Sequence, residues 1–266
     1  MILAIDIGNT QIAAGLFVDK ELSAHWRLSS TAERTEDETW ILMKSIVGAN
    51  GFDIEKVTGV AITSVVPDIT HTFEKMSDKY LKCKPVTVDW TLDLGIEIKY
   101  NTPQSVGADR LCNAVGGFFK YGGPLIIVDF GTATSFDVVS ARGEYLGGMI
   151  APGIEMSSMV LHQKAAKLPR VYLSFPEKVI GKTTETSMQS GLMYGAVEMI
   201  DGLTRRINEE LGETARCIAT GGLARLVINQ LRNSYTLDSF LTLDGLKIIY
   251  DRVKHEPAAR KKEEQQ

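Results

Sequence analysis

Short apolar runs and amphipathic stretches alternate along the chain, and one arrangement of them occurs twice. Residues 2–5 form a β-prone apolar run that leads into Asp6-Ile7-Gly8-Asn9-Thr10. A second β-prone run, 12–18, ends at the turn residues Asp19 and Lys20. The same order returns at 125–128, which leads into Asp129-Phe130-Gly131-Thr132. Residues 135–139 follow as a strand, and Ala141-Arg142-Gly143 as a turn. Each copy predicts two strands joined by a glycine-bearing turn that carries an aspartate. Asp6 and Asp129 stand 123 residues apart in a chain of 266. An internal repeat of that size decides architecture ahead of any single motif.

Between the copies the periodicity predicts a helix over 35–47, with Trp40, Ile41, Met43 and Val47 mostly inward. Thr35 is its expected N-cap, and Glu38 completes a capping box. A buried strand over 57–66 stops at Pro67, a helix covers 68–81, and 86–88 forms a short strand. Residues 105–121 read as a helix with Leu111, Ala114, Val115 and Phe118 on one face, broken by Gly122-Gly123-Pro124. The longest helical pattern is 187–211, with Met188, Leu192, Met193, Ala196, Ile200 and Leu203 at 3–4 spacing. Gly212 terminates it, and Gly191 and Gly195, one turn apart, suggest close helix packing. A strand at 217–219 enters Thr220-Gly221-Gly222, 223–230 is helical, and 241–250 is the last ordered element. Residues 256–266 lack apolar periodicity and read as a disordered tail. The expected domains are 1–120 and 121–255, followed by that tail.

Composition narrows the class. Hydrophobic residues make up 44% and charged residues 23%, which excludes a collagen-like or wholly disordered chain. The formal charge of −4 argues against a broad nucleic-acid or anionic-membrane footprint, though not against a small anionic ligand. Cys83, Cys112 and Cys217 are far apart and odd in number, which suits reduced thiols in a cytoplasmic protein. No signal peptide is expected, because Asp6 interrupts the first apolar run, and no stretch is long and apolar enough to span a bilayer.

A strand that ends in Asp-x-Gly lets backbone N–H groups approach a phosphate closely. A carboxylate beside phosphates requires a cation between them, so Asp6 and Asp129 make sense as metal or metal-water ligands. One such turn is commonplace; two at equivalent places in a duplicated chain point to phosphate chemistry. Thr220-Gly221-Gly222 judged alone reads as a plain strand-helix turn. The segment 147–153, Gly-Gly-Met-Ile-Ala-Pro-Gly, reads as a rigid loop that either admits a ligand or turns a strand. Asp109 suits a general base and Arg110 a bidentate anion partner. An acidic residue in a first helical turn is favourable anyway, so residues alone favour a structural role for Asp109. Gly181-Lys182-Thr183-Thr184 looks like the end of a P-loop, but Pro176 stands where its first glycine belongs. His25, His71, His162 and His255 show no zinc-ligand spacing.

Taken together, these motifs carry a resemblance. The repeated Asp-x-Gly opening resembles the actin, sugar-kinase and heat-shock ATPase superfamily. More narrowly, Asp6–Thr10, Gly107–Arg110, Asp129–Thr134, 147–153 and Thr220–Ala224 follow the order found in type III pantothenate kinases. Some of those relatives carry the label Bvg accessory factor. The resemblance implies an α/β fold of duplicated ribonuclease H-like domains with central mixed sheets and flanking helices, closing over a nucleotide. It implies ATP-dependent phosphorylation of pantothenate, the first step of coenzyme A synthesis. By position, Asp6, Ile7, Gly8, Asn9, Thr10, Gln11, Ile12 and Ala13 match the first ATP-phosphate turn, with Asp6 near Mg²⁺. Gln11 stands where many relatives have Asn. Thr132 matches a second ATP contact, and Asp129 the ligand of a monovalent cation, K⁺ or NH₄⁺. Asp109 matches the catalytic base, which overturns the structural reading. Gly107, Ala108, Asp109, Arg110, Tyr100 and Thr184 match pantothenate contacts. A homodimer in the cytoplasm is implied, with no nucleic-acid or membrane partner. The competing readings are another small-metabolite kinase of the superfamily and a nucleotide-binding regulator.

Overall fold

The structure is a computed structural model that describes residues 1–255; the tail expected at 256–266 lies outside the described residues. In chain order the elements begin β1 (Ile2–Ile7), β2 (Gln11–Val18), β3 (Glu21–Ser29), α1 (Glu36–Ala49), β4 (Gly59–Ser64), α2 (Pro67–Leu81), β5 (Val86–Thr87), β6 (Glu97–Ile98) and α3 (Ala108–Tyr121). They continue β7 (Leu125–Phe130), β8 (Ala133–Val139), β9 (Glu144–Pro152), α4 (Ile154–Lys164), α5 (Thr184–Leu211), β10 (Arg216–Thr220), α6 (Ala224–Val227), β11 (Tyr235–Leu237) and α7 (Leu241–His255). Two compact units result: Met1–Lys120 with the chain from Leu241 on, and Tyr121–Phe240.

The first unit is built on a sheet ordered β3-β2-β1-β4-β5. β1 pairs antiparallel with β2 and parallel with β4, so the sheet is mixed and β1 is central. Central position requires apolar residues on both faces, and Leu3, Ile5, Val60 and Ile62 on one face and Ala4 and Ala61 on the other are fully buried. Met43 and Val47 of α1 and Phe73 and Met76 of α2 complete this core. α1 starts as its sequence predicts. The Thr35 side chain accepts from Glu38 N–H at 3.3 Å, and Glu38 accepts from Thr35 N–H at 2.8 Å. Ile41, expected inward, is exposed, because the buried stripe of α1 runs through Thr39, Met43 and Val47.

The second unit repeats the plan. β11-β10-β7-β8-β9 lie side by side, with β7 parallel to β10 and antiparallel to β8. β9, β8, β7, β10 and β11 thus stand where β3, β2, β1, β4 and β5 stand in the first. The repeat read from two aspartates therefore extends to whole sheets. The core here gathers Ile126, Val128, Phe136, Met193, Ile200 and Ala219. α5 begins at Thr184, earlier than its apolar pattern suggests, because Thr183 caps it through Thr186. It ends at Gly212 in the left-handed region, as expected.

Three expectations are corrected. Residues 147–152, read as loop, belong to strand β9, since Gly147 and Gly148 pair with Val138 and Asp137 in the ladder. Gly191 and Gly195 are exposed, and a Cβ added at either would meet no atom within 4 Å among the described residues, so they mark no close helix packing within the chain. α7, expected in the second half, packs on β1, β2 and β4 of the first unit. Among the described residues no helix is long and apolar enough to cross a membrane.

Thr35→Ala removes the capping acceptor of α1. Urea denaturation is expected to show a loss of about 0.5–2 kcal/mol, with catalytic parameters unchanged.

Candidate active site

In the first unit the carboxyl end of β1 delivers Asp6 and the turn that follows, the usual ligand side of strands in open α/β sheets. Gly8 N–H donates to Gln11 O at 3.0 Å and closes the turn. β3 clamps it from the side. The Ser30 hydroxyl donates to Gly8 O at 2.5 Å, Ser30 N–H donates to Thr10 O at 3.1 Å, and Arg27 donates to Gln11 Oε1 at 3.1 Å. Asn9, Thr10 and Gln11 stay exposed, whereas the side chains of Ile7 and Ile12 are committed to the core. Ala13 sits opposite Asp6 in the hairpin ladder. The turn is therefore a rigid, solvent-facing backbone loop next to a half-buried carboxylate.

α3 supplies the other candidates of this unit. Gly107 precedes it, Ala108 opens it, and Asp109 lies in its first turn. Asp109 Oδ1 accepts from Arg110 N–H at 2.8 Å. A Cβ at Gly107 would fall 2.5 Å from that oxygen, so glycine makes room for the carboxylate to fold over the helix start. Arg110 is buried and Tyr100 half-buried.

Asp6 and Asp109 both act electrostatically on Cys112. This thiol is fully buried on α3, three residues after Asp109. Burial pushes its pKa well above the usual thiol range; the Thr63 hydroxyl pulls down, and the charges of Asp6 and Asp109 push up. Thr63, on β4, is the register partner of Asp6. Both carboxylates thus lie within electrostatic reach of one neutral, buried thiol.

In the second unit the equivalent end of β7 holds Asp129, whose register partner on β10 is Thr220. The pairing Asp129–Thr220 reproduces Asp6–Thr63. Gly131 N–H donates to Ala133 O at 3.1 Å, and Gly153 N–H donates to Thr132 O at 3.2 Å, so the end of β9 braces the β7–β8 turn. Gly221 lies at φ +90°, and a Cβ there would fall 2.4 Å from Asp129 Oδ1 and 2.6 Å from Phe130 N. Thr220-Gly221-Gly222 therefore lies directly on the aspartate. Thr132 is exposed on this turn. Thr184 opens α5 with its side chain exposed, in the second unit, whereas the other pantothenate candidates lie in the first. Thr63 and the Ser30 clamp were not foreseen from sequence. The signal for Thr63 was present, since 62–64 and 219–221 both run apolar-Thr-small at a parallel strand end.

Mixed sheets in duplicate, with an aspartate at the end of each central strand, define an actin-like ATPase and sugar-kinase fold. Solved structures agree on that fold. A putative Baf family transcriptional activator from Campylobacter jejuni superposes with a TM-score of 0.58 at 19% identity, over 94% of this chain and 97% of that one. A ROK family glucokinase from Streptomyces griseus, in complex with glucose and AMPPNP, gives 0.52 at 13% identity over 96% and 99%. Sequence is more specific. The family described as type III pantothenate kinase matches residues 2–206. A type III pantothenate kinase of Myxococcus xanthus (strain DK1622) is 46% identical over 252 residues, 95% of this chain and 98% of the relative. The chain belongs to the type III pantothenate kinase family.

Gly221→Ala places a methyl group against Asp129 in a backbone region that L-residues avoid. We expect a stability loss on the order of 1–3 kcal/mol and weaker ATP binding, read by denaturation and nucleotide titration. Unchanged values for both would show that the turn does not need glycine.

Proposed function

We propose that the protein transfers the γ-phosphoryl group of ATP to the primary hydroxyl of pantothenate, yielding 4'-phosphopantothenate and ADP at the entry to coenzyme A synthesis. The observation that carries this reading is the pair Asp6 and Asp109, two carboxylates within electrostatic reach of Cys112 and set in different surroundings. Asp6 borders a turn suited to phosphate, and Asp109 borders a helix start suited to a substrate hydroxyl. Phosphoryl transfer asks mainly for positioning and charge neutralisation; these residues would supply the positioning, and bound cations the neutralisation.

In this mechanism the backbone of Gly8, Asn9, Thr10 and Gln11, with Ile7, Ile12 and Ala13 at its base, receives the ATP phosphates, and Thr132 adds a contact. Mg²⁺ supplies charge neutralisation at the phosphates when bound, and Asp6 would hold it directly or through water. Among the described residues no three of His, Cys, Asp or Glu gather as a ready-made metal cage. That donor set suits an ion that takes its other ligands from phosphate and water. Asp129, beside the backbone of Gly131 and Gly221, would hold K⁺ or NH₄⁺. Asp109 accepts the hydroxyl proton as the oxygen attacks. Arg110 pairs with the pantothenate carboxylate, while Gly107, Ala108, Tyr100 and Thr184 shape the rest of that site.

The reading extends to a cytoplasmic homodimer. Leu146 and Ile150 on β9, Met159, Val160 and Leu161 on α4, and Val179 and Ile180 all expose large apolar surface within the second unit. Exposed apolar surface of this extent marks association, and a second copy is the proposed cover. The three free thiols fit a reducing compartment.

Coupled ADP release should require pantothenate and rise with added K⁺; no turnover of pantothenate would sink the assignment. Asp109→Asn should lower kcat by about 10²–10⁴-fold while ATP still binds; a regulator would be indifferent to this change. Light scattering should return twice the 29.2 kDa chain mass, and a monomer would remove the dimer.

A further inference from the structure

Four of the contacts that α7 makes within the first unit bear on its placement. Leu243 covers Gly15 of β2, and the Tyr250 hydroxyl lies where a Cβ of Gly59 on β4 would be. Arg252 donates to Asp93 at 2.7 Å. The fourth contact is with α3. A Cβ at Gly245 would lie 1.9 Å from the carbonyl oxygen of Cys112, and a Cβ at Gly116 would lie 2.6 Å from that of Leu241. The two helices cross backbone to backbone. The Thr242 hydroxyl, donating to Asn113 Oδ1 at 2.7 Å, fixes their register.

We propose that the Gly116–Gly245 crossing is a positioning device that fixes α3, and with it Asp109, relative to the end of the central sheet, so that α7 acts on phosphoryl transfer from outside the site. The proposal rests on the reading of Asp109 as the general base. Cys112 joins the parts. Its carbonyl oxygen bears on Gly245, its side chain meets Thr63 beside Asp6, and Asp109 lies one turn before it on the same rigid helix. α3 is thus gripped at the turn adjacent to Asp109. A methyl group at 245 forces α3 and α7 apart, because side-chain carbons do not approach backbone oxygen within 3.0 Å. The shift passes along α3 to Asp109, while the phosphate turn after β1, clamped by β3, stays in place. Gly245 and Gly116 are positioning residues and touch no substrate.

Gly245→Ala is expected to lower kcat by about 10–100-fold, the scale of a 1 Å misplacement of a reacting group, with KM for ATP changed less than about 2-fold. Gly48→Ala is the control, since Gly48 is exposed on α1 with open space at its Cβ; its kinetics should match those of the unaltered protein. A double-mutant cycle with Asp109→Asn decides the route. If Gly245 acts through Asp109, the double variant is no slower than Asp109→Asn alone. Full kcat in a folded Gly245→Ala protein, or the same fold-loss in both backgrounds, overturns the proposal. Should Gly245→Ala fail to fold, Thr242→Val loosens the crossing without added bulk. It should cost about 2–5-fold in kcat, the weight of one modest hydrogen bond, and an unchanged kcat overturns the proposal equally. Turnover retained by Asp109→Asn alone would fault the assignment of the base, while kcat of Gly245→Ala would still report on the crossing.

Discussion

The register of the central strands is the constraint on which the rest depends. In each sheet an aspartate occupies the penultimate position of the central strand, locked on one side by a hairpin and on the other by a parallel neighbour. A one-residue slip in either ladder would turn that side chain to the opposite face. The buried residues that alternate with it, Ile5 and Ile7 or Val128 and Phe130, forbid such a slip. Core packing therefore holds Asp6 and Asp129 where they are. The threonines opposite them, Thr63 and Thr220, are buried for the same reason.

From that common plan the halves diverge at the parallel strand that follows. In the first, Ser64 accepts from Val66 N–H at 2.9 Å and leads into α2 at Pro67. In the second, Gly221 takes a positive φ and folds back over Asp129. The first aspartate keeps an open turn beside it; the second is roofed by backbone. A duplicated scaffold thus offers two unlike carboxylate environments, and α3 adds a third carboxylate to the first.

Much of this was legible in the chain. The repeat, the Thr35–Glu38 capping box, the helix ending at Gly212 and the buried Cys112 all rest on local signals, which local physics decides. β3 went unread, although its signal was present: Leu22, Ala24, Trp26 and Leu28 alternate with Glu21, Ser23, His25 and Arg27. β9 was hidden because glycines weaken strand propensity, and its pairing with β8 outweighs that cost. The return of α7 to the first unit could not be read from order along the chain. It depends on Gly59, Gly15 and Gly116 leaving space for it, and nothing local ties those glycines to residues 241–255. The electrostatic reach of Asp6 and Asp109 to Cys112 is hidden in the same way, because strand and helix are far apart in sequence.

The three carboxylates can be sorted by what compensates their charge. Asp6 and Asp129 face backbone turns suited to phosphate, and like charges there repel unless a cation intervenes. Under the proposed function, cation dependence follows from placing acid beside phosphate at the strand ends. Asp109 is different. Arg110 N–H and the N-terminus of α3 compensate its charge, which is the ground for proposing it as the acceptor of the substrate proton. A net charge of −4 is no obstacle to two anionic substrates under this scheme. What matters is that each acid has a counter-charge of a different kind within reach, supplied by ion, helix or backbone. That difference is the physical ground for proposing one acid for proton transfer and the other two for holding cations.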